Sequence, residues 1–338
     1  MQMLKTPLVK LTMALIFACL LTVAVGLPFG PFTLAHSALY STVTLLAVLI
    51  SMAVAMEAIS VRLAGDPSRV AGHLKYASTS IVYFALTCSV FAFMTLVLAV
   101  LSYLATAVAL PLQDENFAIM DRMIGVDWIA VLTWVNSHPI IAKALTLSYQ
   151  SSFFQIVALI LILSATHQAQ RLQEFTALYA ITLFAVIILS MLFPAVGAYV
   201  YHQPAPHLFT NMGAEAGVWH LEHFRALRDG TFTVLDMARV EGLITFPSFH
   251  TVLAIITSYG FRKTRFLAWP VALLNVAVII STLPEGGHYL IDVIAGAMIA
   301  VAAIAGLRYW SSPVAVAPLT TSSWFNWLTP DAAEKAAT

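Results

Sequence analysis

Two short segments hold most of the residues that can do chemistry in this chain of 338 residues. One is Phe246-Pro247-Ser248-Phe249-His250-Thr251; the other is Gly286-Gly287-His288-Tyr289-Leu290-Ile291-Asp292. His288 and Asp292 stand at i and i+4, so on a helix they share one face. Asp292 can accept a hydrogen bond from one imidazole nitrogen and leave the other free and nucleophilic. His250 comes from a second segment and can face the pair. Pro247 and Ser248 suit a helix start, and Gly286-Gly287 lets backbone approach a ligand closely. Two helix N-termini meeting at one place present unsatisfied N–H groups and the positive dipole end, which makes an anion site. Two imidazoles, a carboxylate, a hydroxyl and two helix starts suit phosphoryl transfer. Spacing alone leaves a second reading open, in which His288 and Asp292 are a structural pair and His250 a polar contact between helices.

The elements that must position these residues are membrane helices. The chain is 60% hydrophobic and only 9% charged, against about 25% charged in soluble domains, with a mean hydropathy of +0.89. That excludes a disordered chain, a basic nucleic-acid binder and a disulfide-stapled secreted module. Cys19 and Cys88 both lie in apolar runs and read as packing residues. A spanning helix needs about 20 mostly apolar residues. Eight spans are expected, over 9–27, 36–58, 77–106, 140–164, 175–199, 246–261, 267–283 and 288–308. The first reads as an anchor, with a cleaved signal peptide as the alternative. The expected fold class is therefore all-α: a polytopic membrane helical bundle of about eight transmembrane helices. Three regions are expected: two N-terminal helices in 1–76, a catalytic membrane domain over 77–310, and a poorly ordered Pro/Ser/Thr/Ala-rich cytoplasmic tail over 311–338.

Placing the N-terminus in the cytoplasm puts 11 of the 16 lysines and arginines on the cytoplasmic side, as the positive-inside rule prefers. Both termini are then cytoplasmic, and both chemistry-bearing segments face outward from the cell membrane. Two large outer loops are expected near 107–139 and 200–245. In the first, Trp128, Val131, Leu132 and Val135 share a face, which reads as an interfacial amphipathic helix. In the second, Val218, Leu221, Phe224 and Leu227 have helical spacing, with His220, Glu222, His223 and Arg225 between them.

The two segments resemble the motifs of the type 2 phosphatidic acid phosphatase superfamily. That family carries Pro-Ser-Gly-His at one helix start and Ser-Arg-x5-His-x3-Asp at another. Here Pro247-Ser248-Phe249-His250 has Phe in place of Gly, and Ser281-Thr282-x5-His288-x3-Asp292 keeps the spacing but has Thr282 in place of Arg. The family's Lys-x6-Arg-Pro motif is absent from the outer loop. The branch containing fungal inositol phosphorylceramide synthases is similar in its His-Tyr and Asp pattern. The resemblance implies a six-helix core over the last six spans and a metal-independent, cofactor-free reaction on a lipid phosphate. It implies that His288 is the nucleophile, forming a phosphohistidine, with Asp292 orienting it. His250 protonates the leaving alcohol and then deprotonates water or an acceptor alcohol. Ser248 and nearby amides, Gly287 among them, hold phosphoryl oxygens.

Arg228 is the first choice for the missing cation, with a solvated helix-end arginine paired with Asp229 as its alternative; Lys143 is a weaker choice. Tyr149, Gln150 and Gln155 read as bonds between helices, with cavity lining as the alternative. His202, His207, His220 and His223 admit a zinc site but read better as a solvated face. The expected function is a lipid-phosphate phosphatase or phosphotransferase whose partners are the bilayer, a lipid phosphate and an acceptor alcohol, and not nucleic acid. The rival is a non-catalytic transporter or scaffold whose His and Asp residues line a polar path; ionisable residues gathered at one face rather than near the midplane favour the enzyme.

Overall fold

The computed structural model describes residues 6–213 and 216–311, so the expected tail lies outside the described residues beyond its first position. Twelve α-helices are formed among the described residues: α1 (Pro7–Gly26), α2 (His36–Arg62), α3 (Arg69–Ala107), α4 (Asp114–Met123), α5 (Trp128–Asn136), α6 (Pro139–Ala165), α7 (Ala169–Leu192), α8 (Ala198–His202), α9 (Leu221–Arg228), α10 (Phe249–Phe261), α11 (Ala268–Ser281) and α12 (Leu290–Ser311). A helical segment falls on each of the eight expected spans. Six of these, α1, α2, α3, α6, α7 and α12, are long and apolar enough to cross a membrane. The chain is an integral membrane helical bundle. At 1.5 Å per residue, α10 and α11 reach only about 20 Å each, short of the ~30 Å apolar core.

Local signals account for where the helices begin. Ser68 accepts from the Ala71 N–H at 3.2 Å and starts α3 at Arg69, eight residues before the apolar run. Pro7 and Pro139 occupy the first turns of α1 and α6. α7 begins six residues before the expected span, and it stops at Leu192 because Pro194 restricts the residue before it.

α7 is the central helix, packed against α1, α3, α6, α10 and α12. Leu159 and Leu163 of α6, Phe175 and Leu178 of α7, Val252 and Ile256 of α10 and Ala300 of α12 form one core there. α2 packs along α3 and turns most of its apolar residues outward. Where the large loops lie, Thr33–Leu34 (β1) pairs in parallel with Val234–Leu235 (β2). This short bridge joins the α1–α2 connection to the second large loop. Phe32, Tyr103, Phe224, Leu227 and Phe232 pack beneath it.

The first large loop corrects one expectation. Trp128, Leu132 and Val135 of α5 are buried against the protein rather than laid into an interface. Trp128 Nε1 donates to the His288 carbonyl at 3.1 Å, and its ring stacks on His202. Trp134 is the exposed tryptophan of that helix.

Candidate active site

His288 and Asp292 meet as their spacing requires. His288 Nδ1 lies 3.3 Å from Asp292 Oδ2, and the two residues are 3% and 0% exposed. The same Oδ2 accepts the Tyr289 N–H at 2.9 Å, so one oxygen both orients the imidazole and caps α12. A carboxylate oxygen only accepts, so the ring donates to Asp292 through Nδ1, and the Thr245 carbonyl is a second acceptor beside the same ring. Gly286 lies beside the Nε2 edge: a Cβ there would meet His288 Cδ2 at 2.7 Å and Nε2 at 3.2 Å.

His250, in the first turn of α10, opens onto the same space. A cavity of about 250 Å³ is lined by His220, His250, His288 and Gly286, by Tyr149 and Tyr179, and by Trp219 and Glu241 among others. Tyr149 stacks on His250 at 4.1 Å between ring centroids, so this α6 side chain lines the cavity rather than bridging helices elsewhere. Tyr103 OH lies 2.8 Å from His223 Nδ1, which is 3.5 Å from the Glu241 carboxylate, and this group backs the wall at Glu241.

The other residues singled out from sequence are placed differently. Ser248 is fully buried and serves α10 as its N-cap, accepting from the Thr251 N–H at 3.4 Å and the Thr251 hydroxyl at 3.2 Å. Gly287 has φ +65° and packs its backbone on Gly217, where a Cβ would fall 2.8 Å from the Gly217 Cα. Its carbonyl accepts the Ala198 N–H at 2.8 Å. Arg228 donates to the Leu110 carbonyl at 2.8 Å and lies over the Phe224 ring. It does not line the cavity, and neither do the exposed Lys143, Arg225 and Arg239.

Three features were not legible in the sequence. The first is a pair of carboxylates on α4. Asp121 accepts the N–H groups of Leu290 and Ile291 at 2.8 and 2.9 Å, taking up the first amides of α12. Asp114 accepts from the Val196 and Gly197 amides at 3.0 and 2.9 Å and from the Tyr289 hydroxyl at 3.0 Å. The α12 amides expected to meet an anion are therefore already occupied. Burial raises the pKa of both carboxylates above the ordinary aspartate value, against the lowering effect of the amides they accept. The only sequence signal was two aspartates seven apart in a loop that holds other charges as well.

The second is the clamp on residues 284–288. Tyr199 OH donates to the Pro284 carbonyl at 2.6 Å, and the Gly217 N–H to the Glu285 carbonyl at 2.9 Å. The Glu285 carboxylate accepts from the Thr146 hydroxyl at 2.6 Å. The third is His220, expected on a solvated face. It is 3% exposed, with Nε2 3.1 Å from the Val196 carbonyl. Burial, and then the nearness of His288, lower its pKa to about 4. Of the other loop histidines, His207 is exposed and His202 is stacked on Trp128. Among the described residues no three His, Cys, Asp or Glu side chains are placed to share a metal ion.

The helical membrane bundle thus brings an Asp-oriented histidine and a second histidine to one cavity. The model of the PAP2 superfamily matches residues 115–306, more than half of the chain, and the protein belongs to that superfamily. No curated protein and no solved structure matches it.

Proposed function

We propose that this protein is a lipid-phosphate phosphatase or phosphotransferase that works through a phosphohistidine on His288. The observation that carries the reading is the His288–Asp292 pair opening onto a cavity shared with His250. Nε2 of His288 attacks phosphorus, and the bond to the leaving alkoxide breaks as His250 delivers a proton to it. His250 then removes a proton from water or an acceptor alcohol, whose oxygen attacks phosphorus and releases Nε2. Asp292 holds the ring in the reactive tautomer and stabilises its developing positive charge. The amides of Phe249 and His250, in the first turn of α10, have no partner inside their own helix and are the backbone donors available to a phosphoryl oxygen.

The cavity runs between helices, with Thr95, Ala99 and Ser102 of α3, Tyr149 of α6 and Tyr179 of α7 in its wall. A lipid headgroup entering sideways from the bilayer reaches His288 by that route. The basic residues at the other end of the bundle, Arg262, Lys263 and Arg265 among them, support a cell-membrane protein with cytoplasmic termini and an outward-facing site.

Purified protein given a panel of lipid phosphates is expected to form an acid-labile, alkali-stable phosphoenzyme. His288→Ala is expected to lose it, and to lose turnover by about 10³-fold or more, while still inserting and folding. Wild-type turnover in that variant would falsify the assignment.

Transfer to an alcohol, of the inositol phosphorylceramide synthase kind, is the second reading. Bulky Phe249 and Trp219 in the cavity wall and the buried His288 favour it, because excluding water lets a positioned alcohol win. The measurement is the ratio of transferred phosphoester to free phosphate as diacylglycerol, ceramide or a polyol is raised. Pure hydrolysis across the panel leaves the phosphatase reading alone.

A further inference from the structure

A phosphoryl group in this cavity needs positive charge, and the obvious sources are elsewhere. Among the described residues no lysine or arginine lines it. Thr282 stands where the family motif has arginine, and its hydroxyl is spent on the Ile279 carbonyl at 2.7 Å. Arg228 bonds the Leu110 carbonyl and lies outside the cavity lining, and the first amides of α12 are taken by Asp121. What the cavity does have is a third imidazole.

The His220 ring is held by one bond of known sense. The Val196 carbonyl can only accept, so Nε2 is the protonated nitrogen and Nδ1 carries the lone pair. His220 and His288 line the same cavity, and His288 is close enough to disfavour charge on His220. Burial and the nearness of His288 thus favour neutral His220 at neutral pH. An entering phosphate reverses that preference, because an anion beside an imidazole favours its charged form. The other titratable groups facing the cavity are His250 on α10, His288 ahead of α12, Glu241 in the segment before α10, Tyr149 on α6 and Tyr179 on α7.

We propose that His220 is a phosphate-binding residue of this site, taking one proton from solvent at Nδ1 as the phosphoryl group enters and so supplying the cation that Thr282 does not. The charge exists only while substrate is present. The proposal rests on the reading of the cavity as the phosphoryl site. It accounts for a buried histidine at the edge of a loop helix, and for a family site that works without the motif arginine.

The test uses the full-length protein in detergent and inorganic phosphate as the probe. Calorimetric titration in buffers of different ionisation enthalpy, from pH 6 to pH 8, counts the protons taken up on binding. His220→Gln keeps a donor for Val196 but cannot ionise. It is expected to take up about one proton fewer at the acid end and to bind phosphate about tenfold more weakly at pH 6. His220→Arg, a permanent cation, is expected to bind with little dependence on pH. It also serves if the glutamine variant fails to fold. Wild-type affinity and proton count in His220→Gln, or an arginine variant as pH-dependent as wild type, overturns the role of His220. Absence of phosphate binding by the wild-type protein overturns the site reading itself, and His288→Ala, which is expected still to bind phosphate, separates that failure from a failure of chemistry.

Discussion

The two helices that bring histidines to the cavity begin in different ways. α10 is started by its own sequence: Ser248 caps it from the position just before the helix. α12 has a local bond of its own, Tyr289 N–H to Asp292, but its first helical amides are bonded from a distance. Its first amides are taken by Asp121, 169 and 170 residues earlier in the chain, and Tyr289 is tied to Asp114 across 175. A locally capped helix forms wherever its segment goes. A remotely capped one forms in register only once the first large loop has folded onto it. His288 sits at the second kind of helix start, so its placement depends directly on α4, while that of His250 depends on α4 only through α12, whose Asp292 carbonyl accepts the Ser248 N–H at 3.0 Å.

The largest expected effect is at the residue that joins cap and chemistry. Asp292→Asn is expected to lower turnover by roughly 10²–10⁴-fold, because the amide no longer fixes the His288 tautomer. Steady-state rates on protein shown to be folded decide it, and a rate within threefold of wild type removes Asp292 from the mechanism. Next, Asp121→Ala leaves two buried amides without an acceptor and is expected to cost about 1–3 kcal/mol of stability and to lower turnover without touching the reacting atoms. Thermal unfolding and kcat together read this; an unchanged kcat breaks the comparison. Ser248→Ala removes a single cap and is expected to cost about 1 kcal/mol, visible as faster exchange of the first α10 amides with those of α12 unaffected.

A finer test uses pH. Burial raises the Asp121 carboxyl above its ordinary value in the folded protein. The folded state therefore binds its proton more tightly than the unfolded chain does. The contribution of Asp121 is smallest at neutral pH, grows as pH falls through the raised value, and is full below the ordinary value near 3.8. The cost of Asp121→Ala is expected to increase on acidification, by no more than about 1.4 kcal/mol per pH unit, whereas the cost of Ser248→Ala stays flat. Parallel curves for the two variants mean that burial does not govern Asp121. The smallest effect is expected at Arg228→Gln, with turnover within about threefold of wild type, since Arg228 is engaged with Leu110 away from the cavity.

The same contrast explains what the sequence could reveal. His288 with Asp292, and Ser248 with His250, are local arrangements whose geometry follows from helical spacing. The apolar runs likewise put a helix on each of the eight expected spans, although α10 and α11 are too short to cross and a polar cap extends others, as Ser68 does for α3. Contacts made across 160 or more residues leave no trace in periodicity. Nothing in the pattern singled out Asp114 and Asp121, and Trp128 looked like an interfacial anchor. His220 failed for another reason. The pattern of α9 finds the buried face at Phe224 and Leu227, but the ring ahead of the helix is buried by the Val196 segment and the cavity, neither of which belongs to that pattern. Tyr149 was misjudged likewise, because a helix facing neighbours on several sides has no single polar stripe.

α4 also acts as a ruler. Its two carboxylates are seven residues apart, which is close to two turns and about 10.5 Å of rise, and each end grips a different piece of backbone. Substituting the residues between them alters the ruler's surface but not its length. Inserting or deleting one residue between Asp114 and Asp121 turns one carboxylate about 100° away from its target. This part of the first large loop is therefore fixed in length as well as at its buried residues Phe117 and Ala118, the reverse of an ordinary surface loop.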